Sequence, residues 1–368
     1  MLLSTIFLSL SYFFYHTFRL ITPLLLLTTL LFHSWPPTYK NLFKKPVSVF
    51  IFLSFLSFIF ILNPSARGRF SQVSVFNDLN VKYELQKLPF EEGDNRVFIA
   101  RAFHNKIVLY SIRFITEYAK YFSSDFLIGS WGSKPLRYVT VNAGPLLYIE
   151  FTLLFLGLAS FVKNKINPLT LLYLLIAPIA SALTTEDTPN LNRSILMSPI
   201  LSIFVALGID FIYRSTPRFK KIVWLCILLN FVYFWHMYTI HNSKREEIAM
   251  NRNSGVRELI AKLPQLQKDY SLIYLTNIPD NLYPWYAFYY QPDPKLFNHL
   301  AKYRDKGEWK YQNLVFSEFK CPSGNIGDVT TSIAVVDSEG CVKKPVFTSL
   351  AEVTRSSGGV AYTIWGRK

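Results

Sequence analysis

ILMSPILSIFVALGIDFIY (residues 195–213) leads through RSTPRFKK (214–221) into IVWLCILLNFVYFWHMY (222–238). Each apolar stretch approaches the ~20 residues a helix needs to cross a ~30 Å hydrocarbon core. The turn between them carries Arg214, Arg218, Lys220 and Lys221. A short basic turn between two apolar runs has the charge bias of a cytoplasmic loop. Working outward, the same grammar recurs. Apolar segments occupy 2–15, 20–35, 47–62, 144–162 and 168–183. Lys40, Lys44 and Lys45 follow the second segment, and Lys163 and Lys165 follow the fourth. Backbone groups in hydrocarbon must satisfy one another, so such runs are read as helices. The expected fold is an α-helical polytopic membrane protein of about seven transmembrane helices with a C-terminal extracytoplasmic α/β domain.

On this reading residues 1–62 hold three membrane helices and 63–143 form an extracytoplasmic loop. Residues 144–240 hold four more helices, and 241–368 form an extracytoplasmic soluble domain. The N-terminus is placed in the cytoplasm, and the location is a plasma membrane. Composition agrees: 51% of the 368 residues are hydrophobic and 17% aromatic, high for a water-soluble chain. The formal net charge of +15 invites a nucleic-acid reading, but much of the excess sits in the basic turns, and no nucleic-acid module is visible. Arg67, Arg69, Arg96, Arg101, Lys106 and Arg137 lie in the outer loop, where anionic headgroups or a lipid phosphate would meet them.

Between 94 and 120, apolar residues recur near helical spacing, which predicts an amphipathic helix at the membrane surface. The soluble part shows a helical pattern over 256–266. Strand patterns follow at 271–276, 314–319, 332–336 and 361–365. Tyr283, Trp285, Tyr286, Phe288, Tyr289 and Tyr290 suit either a sugar-binding face or a domain core. Cys226 lies in the last apolar segment, whereas Cys321 and Cys341 share the soluble domain. That pair is a possible disulfide, with two unpaired thiols as the alternative. No Cys/His spacing suggests a metal site, no cofactor motif is present, and nothing supports a divalent ion.

Several motifs occur in order: YHTFRLITP (15–23), RFSQVSVFND (69–78), YFSSDFL (121–127), Arg137-Tyr138, GPLLYIE (144–150) and ALTTEDTP (182–189) running on to Arg193. Together they resemble bacterial membrane glycosyltransferases of the GT-C type, the superfamily of protein O-mannosyltransferases and aminoarabinose transferases. The resemblance covers most of residues 1–240. It implies transfer of a sugar from a polyprenyl-phosphate donor to an acceptor outside the cytoplasm, be it protein, lipid or glycan.

Arg19, Arg137 and Arg193 are then the expected donor-phosphate contacts, because a guanidinium fork matches phosphate oxygens. Snorkelling or a local ion pair is the alternative for each. Tyr15, His16, Asp125, Glu150 and Asp187 are the expected supporting residues of the cavity. The catalytic carboxylate of such enzymes sits in the first outer loop, and no segment here matches that loop. The catalytic residue therefore stays unassigned, and the chain reads as one lacking the N-terminal helices, with a separate chain carrying them as one possibility. The competing reading is a non-catalytic membrane scaffold that binds lipid or a partner.

Overall fold

The structure, a computed structural model, describes residues 11, 17–32, 73–93, 97–129, 133–276, 282–295, 297, 308–317, 332–337 and 347–367. The chain divides into two compact units, Met1–Met237 and Tyr238–Lys368.

In the first unit, helix α1 (Phe18–Phe32) is followed by a three-helix module of α2 (Leu79–Glu92), α3 (Val97–Phe103) and α4 (Lys106–Ala119). A short α5 (Ser124–Leu127) leads to α6 (Tyr148–Lys163), α7 (Leu169–Ile176), α8 (Ile179–Ala182), α9 (Met197–Ser215) and α10 (Lys220–His236). The central contact is α6 against α9. Two glycines let these backbones meet: a Cβ at Gly157 would lie 1.8 Å from the Phe204 carbonyl oxygen, and one at Gly208 would lie 2.1 Å from that of Leu153. Small residues at such crossings allow close helix packing. Leu153, Phe161, Leu201 and Phe204 fill the surrounding core, with Phe161 and Phe204 edge to face at 5.4 Å. Asn230 of α10 accepts from the Ile149 N–H at 2.9 Å, tying α10 to the start of α6.

The expectation of seven transmembrane helices is corrected here. Among the described residues, two helices are long and apolar enough to cross a membrane, Met197–Ser215 and Pro217–Lys244. The fourth expected span shrinks to the 16 residues of α6. Gly144 and Pro145 belong to a turn instead, since a Cβ on Gly144 would meet the Leu127 carbonyl oxygen at 2.4 Å. The fifth span is broken at Ala177-Pro178 into α7 and α8, because proline offers no N–H to continue a helix. The second is a 15-residue helix containing Pro23. Nearly all of 2–15, and all of 47–62, lie outside the described residues.

The amphipathic run over 94–120 is likewise two helices. Asn105 divides them: its Oδ1 accepts from the Val108 N–H at 3.0 Å, opening α4. Its Nδ2 donates to the carbonyls of Arg101 and Ala102, closing α3.

The second unit is an α/β domain around a six-stranded mixed sheet of order β2-β3-β1-β4-β6-β5. The strands are β1 (Leu272–Thr276), β2 (Glu308–Tyr311), β3 (Leu314–Ser317), β4 (Ile333–Asp337), β5 (Thr348–Thr354) and β6 (Val360–Arg367). β3, β1 and β4 run parallel, and the flanking pairs are antiparallel. β4 is buried along its whole length, as a strand covered on both faces must be, and its run of Ile, Ala and Val suits that position. Three further helices accompany the sheet: α11 (Glu246–Asn251), α12 (Val256–Asp269) and α13 (Leu282–Tyr290). Helix α12 buries Val256, Leu259, Ile260 and Leu263 on one stripe. Tyr286 of α13 is wholly buried among Phe297, Tyr311 and Phe316, so the aromatic cluster of α13 is in part core. Trp285 and Tyr289 stack at 6.2 Å on the same helix.

Candidate functional site

Three separated stretches converge in the first unit. Residues 73–75 run beside 183–185, with the Val75 N–H donating to the Leu183 carbonyl at 3.0 Å and the Thr185 N–H to that of Val73 at 2.8 Å. The Lys134 N–H donates to the Pro189 carbonyl at 2.7 Å. The loop after α8 is thus stitched on both sides, and the side chains of α4 and its continuation close over it.

The charged centre of this junction is Glu117, whose side chain is completely buried. Lys120 Nζ lies 2.7 Å from its Oε1 and 2.8 Å from its Oε2. Arg113 Nη1 is 3.1 Å from Oε1, and the Thr188 hydroxyl donates to Oε2 at 2.5 Å. Arg113 also reaches the buried Asp78, Nε to Oδ2 at 2.8 Å. Its N–H is not aimed at that oxygen, so the contact is an ion pair rather than a directed hydrogen bond. Asp78 Oδ1 meanwhile accepts from the Asn80 N–H at 2.9 Å and opens α2. Two buried carboxylates therefore hold two half-exposed cations, and a buried charge is tolerable only when so paired and bonded.

A second, uncharged network lies beside it. Tyr121 and Ser181 share a hydrogen bond between their hydroxyls, and the Asn190 N–H donates to Tyr121 Oη at 2.9 Å. Burial pushes the Tyr121 phenol above its ordinary value, against the opposing pull of these bonds and of the Arg193 charge. Arg193 is 9% exposed. Its Nη1 donates to Thr184 Oγ1 at 2.7 Å and to the Glu186 carbonyl at 3.0 Å. The guanidinium thus clamps the loop that precedes it.

Next to the ion cluster is an open groove of about 520 Å³. Its walls are Phe76, Ile107, Tyr110, Phe114, Ile179 and Leu183, with Ser111 and Lys106 as the polar members. Phe76 and Tyr110 form an edge-to-face corner at 5.6 Å. The lining positions 106, 107, 110, 111 and 114 share one face of α4 at helical spacing, and Arg113, Glu117 and Lys120 follow the adjoining stripe. An apolar groove with one lysine in its lining can take an apolar chain and one anionic group.

The residues expected from sequence fall in different places. Arg193 is in the junction but directed inward. Arg19 lies on the first turn of α1, half-buried. Arg137 is exposed with its guanidinium 5.6 Å from the centroid of the Tyr138 ring. Asp125 is exposed on α5, and no ion pair joins it to Arg137 among the described residues. Glu150 sits in the first turn of α6, where its Oε2 accepts from the Leu147 N–H at 2.9 Å and caps the helix. Asp187 occupies a tight turn at φ 53°. Tyr15, His16, Cys321 and Cys341 lie outside the described residues; Cys226 is a free thiol.

Arg113, Glu117 and Lys120 were not singled out from the sequence. Their i, i+4 and i, i+3 spacing on one helix was the available signal. Among the described residues no cluster of His, Cys, Asp or Glu has the arrangement of a metal site. Comparisons with protein-family models, with curated proteins and with solved structures find no match to this chain.

Proposed function

We propose that the chain is a membrane-embedded glycosyltransferase component that holds a polyprenyl-phosphate-linked sugar in the groove between α4 and α8. The observation that carries this reading is the apolar groove with Lys106 in its lining. The isoprenoid tail lies along Ile107, Phe114, Ile179 and Leu183, and the phosphate faces Lys106. In transfer, an acceptor oxygen forms a bond to the anomeric carbon while the bond to phosphate breaks. The phosphate leaves with the electron pair, and a nearby cation stabilises that charge. Among the described residues no carboxylate lines the groove, so the group that takes the acceptor's proton is not assigned.

The setting is a bacterial plasma membrane. Helix α10 supports it: Trp224, Leu225, Leu228, Leu229, Phe231, Val232 and Trp235 are all largely uncovered, which water would penalise and lipid would not. With Arg214, Arg218, Lys220 and Lys221 on the cytoplasmic side, the second unit lies outside the cytoplasm.

The test is binding of a fluorescent polyprenyl phosphate to the purified chain in lipid nanodiscs. Saturable binding that Lys106→Glu weakens at least about tenfold, and that Ile179→Trp abolishes by filling the groove, supports the reading; one charge-assisted contact is worth about that much. A polyprenol without phosphate should compete poorly. Binding that ignores both substitutions would overturn it.

A further inference from the structure

The end of the three-helix module farthest along α2 carries side chains that the fold does not cover. Phe90 is 86% exposed and Phe98 85%, with Phe103 also exposed. Single exposed apolar residues need no explanation, but several large ones gathered at one end do. The His104 ring Nε2 lies 2.6 Å from Glu92 Oε1 and joins the α3–α4 turn to the end of α2. Asn105 binds backbone on both sides of the same turn. The α3–α4 turn is therefore held on both sides. Arg101 and Lys106 flank it, and neither has a carboxylate partner among the described residues.

We infer that this tip is an interfacial wedge, with Phe90, Phe98 and Phe103 entering the headgroup region of an anionic lipid bilayer and Arg101 facing its phosphates. Two features on the molecule favour a bilayer over a protein partner. The first is angular. Five residues separate Phe98 from Phe103, which at 3.6 residues per turn sets them roughly 140° apart around α3. Apolar groups wrapped around a tip suit a fluid that surrounds it, whereas a protein partner covers a face. The second is charge: Glu91 and Glu92 at this end are engaged by Lys87 and His104, so among the described residues Arg101 is left to face anionic headgroups, and aromatics beside a basic residue are the composition of interfacial anchors. Helix α9 of the same unit is long and apolar enough to cross a membrane. The inference does not depend on the groove or its proposed occupant.

The experiment uses the full chain with its three native cysteines changed to serine, reconstituted in vesicles of phosphatidylcholine with or without phosphatidylglycerol. A bimane label is placed at Phe98→Cys, at Phe103→Cys, or at Glu84→Cys as the control on α2. Shallow spin-labelled lipid should quench the labels at 98 and 103 several-fold more strongly than the label at 84. Arg101→Glu should reduce that quenching in the phosphatidylglycerol vesicles and leave it unchanged in phosphatidylcholine alone. Labels at 98 and 103 that are quenched by aqueous iodide and not by lipid would overturn the inference. So would labels shielded from both quenchers, which would place a protein, such as a second copy, over the tip.

Discussion

Gly157→Ala tests the packing of the first unit most sharply. The added Cβ would stand 1.8 Å from the Phe204 carbonyl oxygen, where ordinary contact begins at 3.4 Å, and the obstacle is backbone that no rotamer change can move. The two helices must part by about 1.6 Å at their crossing, since that is the shortfall. A gap of even ~0.5–1 Å forfeits a quarter to a half of each dispersion contact, and Leu153, Phe161, Leu201 and Phe204 all pack around this point. Overpacking of a tight core costs ~1–3 kcal/mol and occasionally more, and a backbone clash belongs at the upper end, so the expected loss is about 3 kcal/mol. For a unit of this size ~1 kcal/mol corresponds to ~2–4 °C, giving a fall of about 6–12 °C in the apparent unfolding temperature in detergent. Gly93→Ala is the control. At φ 74° and ψ 169° it has nothing within 4 Å of the added carbon, so its loss is ~1–3 kcal/mol of backbone strain and leaves the α6–α9 crossing untouched. A Gly157→Ala protein that melts within 2 °C or so of the parent would refute the close α6–α9 crossing.

Glu117→Gln removes the buried carboxylate but leaves only half-exposed cations behind, with Arg113 still beside Asp78, so it should cost about 1–3 kcal/mol, the loss of charge-assisted hydrogen bonds; urea unfolding at neutral pH would measure it. Arg193→Gln removes the clamp on Thr184 and the Glu186 carbonyl, so about 1.5–3 kcal/mol of stability should go, while affinity for polyprenyl phosphate in the folded protein stays the same. In the second unit, burial pushes the Tyr362 phenol up to about 12, above the ordinary value of ~10. The neutral form is the one the fold prefers, so this stability is complete below pH ~10 and is lost as pH rises from there towards 12, about 2–3 kcal/mol in all. Chemical unfolding between pH 9 and 12 should show a shallower decline for Tyr362→Phe than for the parent.

What the sequence revealed, and what it hid, follows from the kind of signal each element carries. The strands β1, β3, β4 and β6 are short apolar or β-branched runs between polar turns, and local pattern suffices for them. So does α12, whose buried stripe repeats at helical spacing. Strand β2 pairs only with β3, at one edge of the sheet, and β5 is mostly exposed. Neither needs an apolar run, and both escaped notice. The spans failed for a different reason. Mean hydropathy counts apolar residues without asking whether the backbone can continue, so Pro178 and the Gly144 turn were invisible to it.

At the site, attention to the apolar face of 94–120 concealed the charged stripe beside it, although Arg113, Glu117 and Lys120 were spaced to share one side of a helix. The inward turn of Arg193 depends on Thr184 and Glu186 being folded back over it. That is a tertiary fact with no local signature.

The central claim is that the groove between α4 and α8 holds a lipid tail, and the direct measurement is photolabelling. A polyprenyl phosphate bearing a diazirine along its tail would be irradiated with the full chain in nanodiscs, and the labelled peptides located by mass spectrometry. The account predicts adducts within Lys106–Ala119 and Ile179–Leu183, lost in Ile179→Trp. Adducts confined to α9 and α10, equally strong in Ile179→Trp, would contradict it.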